Sequence, residues 1–412
     1  MKIALIGVGS RGFNVYGSIL NRTSGVTISA LCDISQVRLQ EASKSFNVPS
    51  DAAYLNEDDF FNAGVLGDGL VIASMDHDHY RHVMKALNTG YKYILLEKPV
   101  SDVIAETEEI ARVAKEKGTT ILVCHVLRYS RFYKTIHDII VSGRIGEPVT
   151  INHEENIAYW HFAHSFVRGN WRNAAVSHPL LYAKTCHDFD LLYWFANSKF
   201  KSAKSFGSLK YFIKENAPEN CADRCLDGCK YLDSCAYSVK NLYFDTKSPL
   251  GWGLYPAIGK NNPTQSERYD ALKRADNPYG RCVYKCDNDL DDHKSVLIEF
   301  QNGVTATLNV TAFSKDCHRR IHIMGTHGEI LGDDADNYIT VNVFGQKKKG
   351  IFDCNYNKVK IGPPGSGHLG GDTGICDSFV KIIAGKPVNP DYLTTIDVTL
   401  EGHRIVDAAE HS

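Results

Sequence analysis

The stretch "KIALIGVGSRG", residues 2–12, decides the fold. An apolar run leads straight into Gly7, Gly9 and Gly12, and a helical pattern follows. Glycines so spaced permit a tight turn, close backbone approach to a pyrophosphate, and packing of the helix on the strand. The helix N-terminus then stabilises the negative charge. Asp33 ends the next apolar run, "VTISALCD", about 20 residues further on, where an acid bonds a ribose 2′-hydroxyl. A glycine turn with a capping Asp is the alternative, and the strand–turn–helix context weighs against it. Asp33 favours NAD because a carboxylate repels a 2′-phosphate. Arg38 lies close enough to leave NADP open.

Outward from this segment, residues 1–123 alternate apolar runs with helical patterns: "VTISALCD", "GLVIAS", "YILLEKP" and "TTILVCH" each stand beside a helix. Continuous apolar strands alternating with helices predict a parallel sheet covered on both faces. From residue 124 the pattern changes. "FYKTIHDIIVSGRIGEP" and "LLYAKTCHDFDLLYWFA" read as helices, whereas "KSVLIEFQNGVTATLNVTAF" and "RRIHIMGTHGEILGD" alternate with period two. Asn302-Gly303 is a two-residue hairpin signal. The expected architecture is an α/β Rossmann domain, 1–123, followed by an α+β domain, 124–412, with an open, mostly antiparallel sheet. Within the latter, about 213–290 is polar and rich in Cys, Tyr and Asp, too long for an unstapled loop.

The bulk numbers exclude several classes. At 412 residues, 43% hydrophobic and 23% charged, the chain is an ordinary globular one. A formal net charge of −2 leaves no footprint for nucleic acid or an anionic membrane. No apolar run approaches the roughly 18 residues of a spanning helix. "MKIALIGVGS" reads as a first strand rather than a signal peptide, and the expected location is the cytoplasm.

In an open parallel sheet, ligands bind beyond the carboxyl ends of the strands. "GLVIAS" runs into "MDHDHYRH", "YILL" into Glu97-Lys98-Pro99, and "ILVCH" into "VLRYSRF". With these ends in view the chain resembles the Gfo/Idh/MocA oxidoreductases, the family of glucose–fructose oxidoreductase and inositol dehydrogenase. The matching segments are "GVGSRG", "IASMDHDHY" with His79, "EKPVS", "GRIGEP" and "CHDFDLLYW". The resemblance implies NAD(P)-linked oxidation or reduction at a hydroxyl or carbonyl of a sugar, polyol or related compound, and a homo-oligomer, dimer or tetramer. It places Lys98 near the nicotinamide and the reacting oxygen, with His187 as its partner. The implied cofactor residues are Gly7, Gly9, Ser10, Arg11, Gly12, Asp33, Arg38, Ser74, His79, Glu97 and Lys98.

Elementary chemistry asks for the same groups. Removing hydride from a carbinol requires something to take the hydroxyl proton, and reduction requires the reverse. A half-buried lysine or a histidine can do either. The alternatives are a solvated strand-end charge for Lys98 and a satisfied helix histidine for His187. Where many relatives carry Asp, four residues before that histidine, this chain has Ala183. Lys184, three residues before His187, is the candidate substitute for orientation or proton transfer. Asp188 and Asp190 are expected to cap or pair locally.

"NIAYWHFAHSFVRGNWRN" packs Tyr159, Trp160, His161, His164, Arg168, Trp171 and Arg172 together. Aromatic faces with interspersed donors suit a sugar ring, and arginines suit a carboxylate. A packing loop is the alternative for each residue. The substrate set is Lys98, Arg128, His164, Arg168, Trp171, Lys184 and His187. "GSGHLGGD", with His368 and Asp372, reads as a flexible lid or substrate loop.

Four of the twelve cysteines, Cys221, Cys225, Cys229 and Cys235, fall within fifteen residues, and Cys282 and Cys286 follow. In a reducing compartment such clustering argues for metal over disulfides. A structural zinc ion or an iron–sulfur cluster is expected on the four, with Cys282 and Cys286 as further ligands. Free thiols or local disulfides are the alternatives.

Three function classes follow. The first is an NAD(P)-dependent dehydrogenase or reductase. The second is a glycoside hydrolase or lyase that retains NAD through transient oxidation, elimination and reduction. The third is a nucleotide-binding regulator without chemistry.

Overall fold

The computed structural model describes residues 1–175, 177–245, 247–260, 262–345, 357–363, 365 and 367–412. Cys354 and Ser366 lie outside them. Strand β1 (Lys2–Ile6) is buried from Ile3 onward. It pairs in parallel with β2 (Thr27–Cys32) on one side and β4 (Gly69–Ile72) on the other. With β3 (Ala53–Tyr54), β5 (Tyr93–Leu96) and β6 (Thr120–Val123) the order is β3-β2-β1-β4-β5-β6, every pair parallel. Side chains alternate between two cores: Leu5, Val71 and Leu95 enter one, and Ala4, Ile72 and Leu96 enter the other. Both faces are therefore covered, as the continuous apolar runs require. The order reverses between β1 and β4, which opens the ligand crevice at the carboxyl ends of those strands.

The second sheet has eight strands: β7 (Pro148–Ala158), β8 (Phe200–Ser208), β9 (His293–Phe300), β10 (Thr305–Ser314), β11 (His318–Gly325), β12 (Gly328–Asp333), β13 (Tyr338–Val343) and β14 (Asn357–Lys360). Its order is β14-β13-β12-β11-β7-β10-β9-β8. Only β7 and β10 pair in parallel. The Asn302-Gly303 turn joins β9 to β10, with Gly303 at φ 85°. One face of the sheet supplies Ile151, Val296, Ile298, Leu308 and Ile323 to a core shared with the helices Arg131–Val141 and Cys186–Ala196. The other face leaves Leu297 and Phe313 exposed.

A boundary at 123/124 follows the chain but not the packing. Ile375, Cys376 and Phe379, on the helix Gly371–Ile383, belong to the first sheet's core. Beyond it, Thr394 O accepts the Val123 N–H at 2.8 Å, and the helix Ile396–Glu410 inserts Ile396 on the other face of the same sheet. The apolar periodicity of this segment matches either domain equally well, so the sequence does not say where it docks.

Among its described residues the stretch 213–290 has short helices, including Leu254–Ile258 and Gln265–Lys273, the latter closed by a Thr264–Glu267 capping box. Its two arms meet where Cys225 N–H donates to Gly280 O (3.1 Å) and Cys282 N–H to Asp223 O (2.8 Å). Arg224 Nη2 gathers the carbonyls of Leu272, Arg274 and Asn277 at 2.8, 2.6 and 2.9 Å. This arginine is a polar staple that spacing alone does not reveal.

Candidate active site

The glycine turn after β1 has the geometry a dinucleotide needs. Gly7 sits at φ +86°, and a Cβ there would lie 2.4 Å from the Ala73 carbonyl carbon. At Gly12 a Cβ would fall 1.8 Å from Gly7 O. Gly9, in contrast, is open: Arg38 Nη1, at 3.6 Å, is the one atom near its Cβ position. The first and third glycines thus close the turn, and the second leaves room for a ligand's phosphates. Asp33 accepts the N–H groups of Val8 (2.7 Å) and Ser35 (2.8 Å), which fixes its carboxylate beside that space. The Arg38 guanidinium stands 5.9 Å from the Tyr255 ring, so the insertion reaches over the nucleotide crevice.

Glu97 follows β5 and is buried. Its carboxylate accepts from Arg11 Nε (2.6 Å), Tyr16 OH (2.6 Å) and the Lys98 N–H (2.7 Å). Burial pushes Glu97 up, but the Arg11 and Lys98 charges and these hydrogen bonds more than offset it and hold the carboxyl below its ordinary range. Arg11, expected at the cofactor, also donates from Nη2 to Asp372 at 2.8 Å. Asp372 in turn holds His368 Nδ1 at 3.1 Å. His368 and Leu369 both lie at positive φ, 44° and 59°, which costs about 1–3 kcal/mol each. The Arg11–Asp372 pair anchors this strained loop, read from sequence as a flexible lid. Replacing Arg11 with methionine strands two buried carboxylates and is expected to cost about 3 kcal/mol in urea unfolding. A loss under about 1 kcal/mol would exclude that role.

Across the crevice, Lys98 Nζ donates to Ala183 O at 2.8 Å. The position where many relatives carry an acid thus meets Lys98 through its backbone. His187, buried on the helix Cys186–Ala196, lies with its ring 5.6 Å from that of His125 and 6.0 Å from that of His368. Burial, followed by the Lys98 charge and the neighbouring His125 and His368, holds His187 well below the ordinary histidine range. His187 is therefore neutral at neutral pH, and its Nδ1 has no hydrogen-bond partner.

Lys184 is not on one continuous helix with His187, because the chain breaks at Lys184 and Thr185 between two helices. Its Nζ pairs with the buried Glu155 at 2.8 Å. Glu155 also pairs with Arg319 (2.8 Å), and Arg319 with Asp188 (2.7 Å), which His153 contacts at 2.7 Å. A carboxylate absent at position 183 is thus supplied beside Lys184 by β7. Period-two alternation marks Glu155 as inward-facing, the one signal that could have found it.

Other expected residues lie elsewhere. His79 is fully buried and bonds Pro99 O at 2.6 Å, which clamps the Glu97–Pro99 segment from behind. Ser74 Oγ bonds His82 Nδ1 at 2.8 Å. Arg128 forms a buried two-pronged pair with Asp190 at 2.7 and 2.8 Å. Trp171 Nε1 donates to Asp76 at 3.3 Å and so bridges the two domains. His164 bonds Tyr243 OH at 2.9 Å and stacks on Tyr279, ring centroids 4.8 Å apart. It and Arg168 are buried against the insertion, where Arg168 donates to the Arg281 and Tyr237 carbonyls beside Cys225. The arginine- and aromatic-rich loop therefore divides, with Trp171 at the crevice and His164 and Arg168 away from it.

Comparison with known proteins agrees with this geometry. Residues 1–125 match the family model described as "Oxidoreductase family, NAD-binding Rossmann fold", and 138–356 match "Oxidoreductase family, C-terminal alpha/beta domain". YteT of Bacillus subtilis is 22% identical over 81% of this chain and 77% of its own. Inositol 2-dehydrogenase of Salmonella typhimurium is 25% identical over 50% of this chain, a match spanning 57% of that protein. Among solved structures, levoglucosan dehydrogenase in complex with NADH and levoglucosan superposes with a TM-score of 0.68 at 15% identity, over 100% of this chain and 96% of that one. That last likeness is one of fold.

Proposed function

The chain belongs to the Gfo/Idh/MocA oxidoreductase family, and from that premise we propose that it transfers hydride between NAD and a hydroxyl or carbonyl carbon of a sugar or polyol. The observation that carries the reading is the approach of Lys98 from the first domain to Ala183 O and the neutral His187 of the second. The relatives named inositol 2-dehydrogenase and levoglucosan dehydrogenase support polyhydroxylated substrates.

When bound, the nicotinamide accepts or supplies the hydride. Gly7, Gly9 and Gly12 with Asp33 would hold the dinucleotide, and Asp33 favours NAD over NADP by charge. Lys98 spends one N–H on Ala183 O and keeps two for the substrate oxygen, whose developing negative charge its ammonium stabilises. His187 accepts the hydroxyl proton in oxidation and returns it in reduction. Lys184, oriented by Glu155, bonds a further hydroxyl.

The same reading includes a homo-oligomer formed through the exposed face of the second sheet, where Leu297 stands exposed. No helix among the described residues is long and apolar enough to cross a membrane. A reducing cytoplasm suits the eleven described cysteines, which form no disulfide with one another.

A panel of polyols, sugars and glycosides incubated with NAD tests the proposal. The expected result is growth of the reduced-nicotinamide absorbance with a free polyol or sugar, and a smaller response with NADP. Glycoside cleavage without net nicotinamide reduction would overturn it.

A further inference from the structure

Five cysteines of the insertion, Cys221, Cys225, Cys229, Cys235 and Cys282, line one cavity together with Arg168. Roughly 330 Å³ there is free of atoms, the open solvent at its mouth included. None of the five is in a disulfide. They come from both arms of the insertion, four from 221–235 and one from beyond the second short helix.

The charge balance of this cavity is incomplete. Arg168 is wholly buried. Its Nε donates to Arg281 O (2.7 Å) and its Nη2 to Tyr237 O (2.8 Å), with Cys225 Sγ 3.9 Å away. Nη1 has no partner, and no carboxylate among the described residues pairs with this guanidinium. An unpaired buried charge costs several kcal/mol. Neutral thiols do not supply the missing anion, whereas metal-bound thiolates do.

Size decides the metal. Around one zinc ion, with Zn–S near 2.3 Å, tetrahedral geometry sets the sulfurs roughly 3.8 Å apart. Among the described residues no three of these sulfurs lie within 4.8 Å of one another. Sulfurs spread more widely than one zinc ion allows suit a polynuclear centre held by Cys thiolates.

We propose that this cavity binds an iron–sulfur cluster through four of the five cysteines, with Arg168 beside it as the balancing cation. The cluster ties the two arms of the insertion together and so braces the segment that carries Tyr255 over the nucleotide crevice. This site is separate from the Lys98 chemistry, so its test is independent of the dehydrogenase reading.

The full-length chain, purified anaerobically or reconstituted with ferrous iron and sulfide, is assayed for iron, acid-labile sulfide and visible absorption. The expected result is iron and sulfide in equal amounts, with a broad thiolate-to-iron charge-transfer band. The double variant Cys225→Ser/Cys282→Ser leaves three lining cysteines, too few for four ligands, and is expected to lose at least tenfold of the iron. Arg168→Met, which keeps every thiol, is expected to weaken cluster retention against a chelator at least several-fold. Circular dichroism and NAD binding report whether each variant is folded. Zinc in place of iron and sulfide, a folded chain that takes up neither, or iron unaffected by the double variant would each overturn the proposal.

Discussion

Lys98→Met is expected to lower kcat at least about a thousandfold, within the range that a positioned proton-transfer or charge-stabilising group contributes. NAD affinity, set by the glycine turn and Asp33, is expected to change less than about threefold by fluorescence titration. Methionine keeps the length and most of the volume of the side chain, so Glu97, Arg11 and Asp372 retain their network. The loss should appear equally in kcat and kcat/KM, because the ammonium acts on charge that develops in the transition state. A reduction under about tenfold would remove Lys98 from the chemistry.

Acid should unfold this protein earlier than its carboxylates alone would dictate. His125, His164 and His403 are each pushed down to about 3, in every case chiefly by burial. Secondary causes are Arg128 and Lys98 beside His125, Arg168 beside His164, and His125 beside His403. Near pH 5 the unfolded chain binds three protons at these sites and the folded chain none, so stability rises with pH in this window. Their contribution is fully present above the unfolded histidine value of about 6.5 and is lost as pH falls below it. At about 1.4 kcal/mol per pH unit for each histidine, the unfolding free energy falls by about 5 kcal/mol between pH 6.5 and 5. Urea unfolding across that interval measures it. A change under about 1 kcal/mol would show that these rings are protonated in the folded state.

The parts of the site legible in the sequence are those fixed by local chemistry. The glycine spacing, the end of β5 at Glu97-Lys98-Pro99 and the helix bearing His187 are contiguous motifs, and each lies where its spacing puts it. The electrostatic frame was not legible. Arg11 meets Asp372 across 361 positions and Glu97 across 86, and Arg319 meets Asp188 across 131. No local period encodes such pairs. His164 and Arg168 mislead for a different reason, since an aromatic loop with donors has the same composition whether it stacks on a sugar or packs on Tyr279. The loop with His368 and Asp372 looked mobile because it is rich in glycine. In the fold, Gly367 and Gly370, both at positive φ, and two strained residues let it turn sharply onto Arg11.

The measurement that tests the account most directly is isotope transfer from a polyol deuterated at the carbinol carbon. Incubated with the enzyme and NAD, it should yield reduced nicotinamide carrying the deuterium, in equal amount to the carbonyl product, and Lys98→Met should suppress both. Product formed without deuterium in the nicotinamide pool, or equal transfer by Lys98→Met, would contradict it.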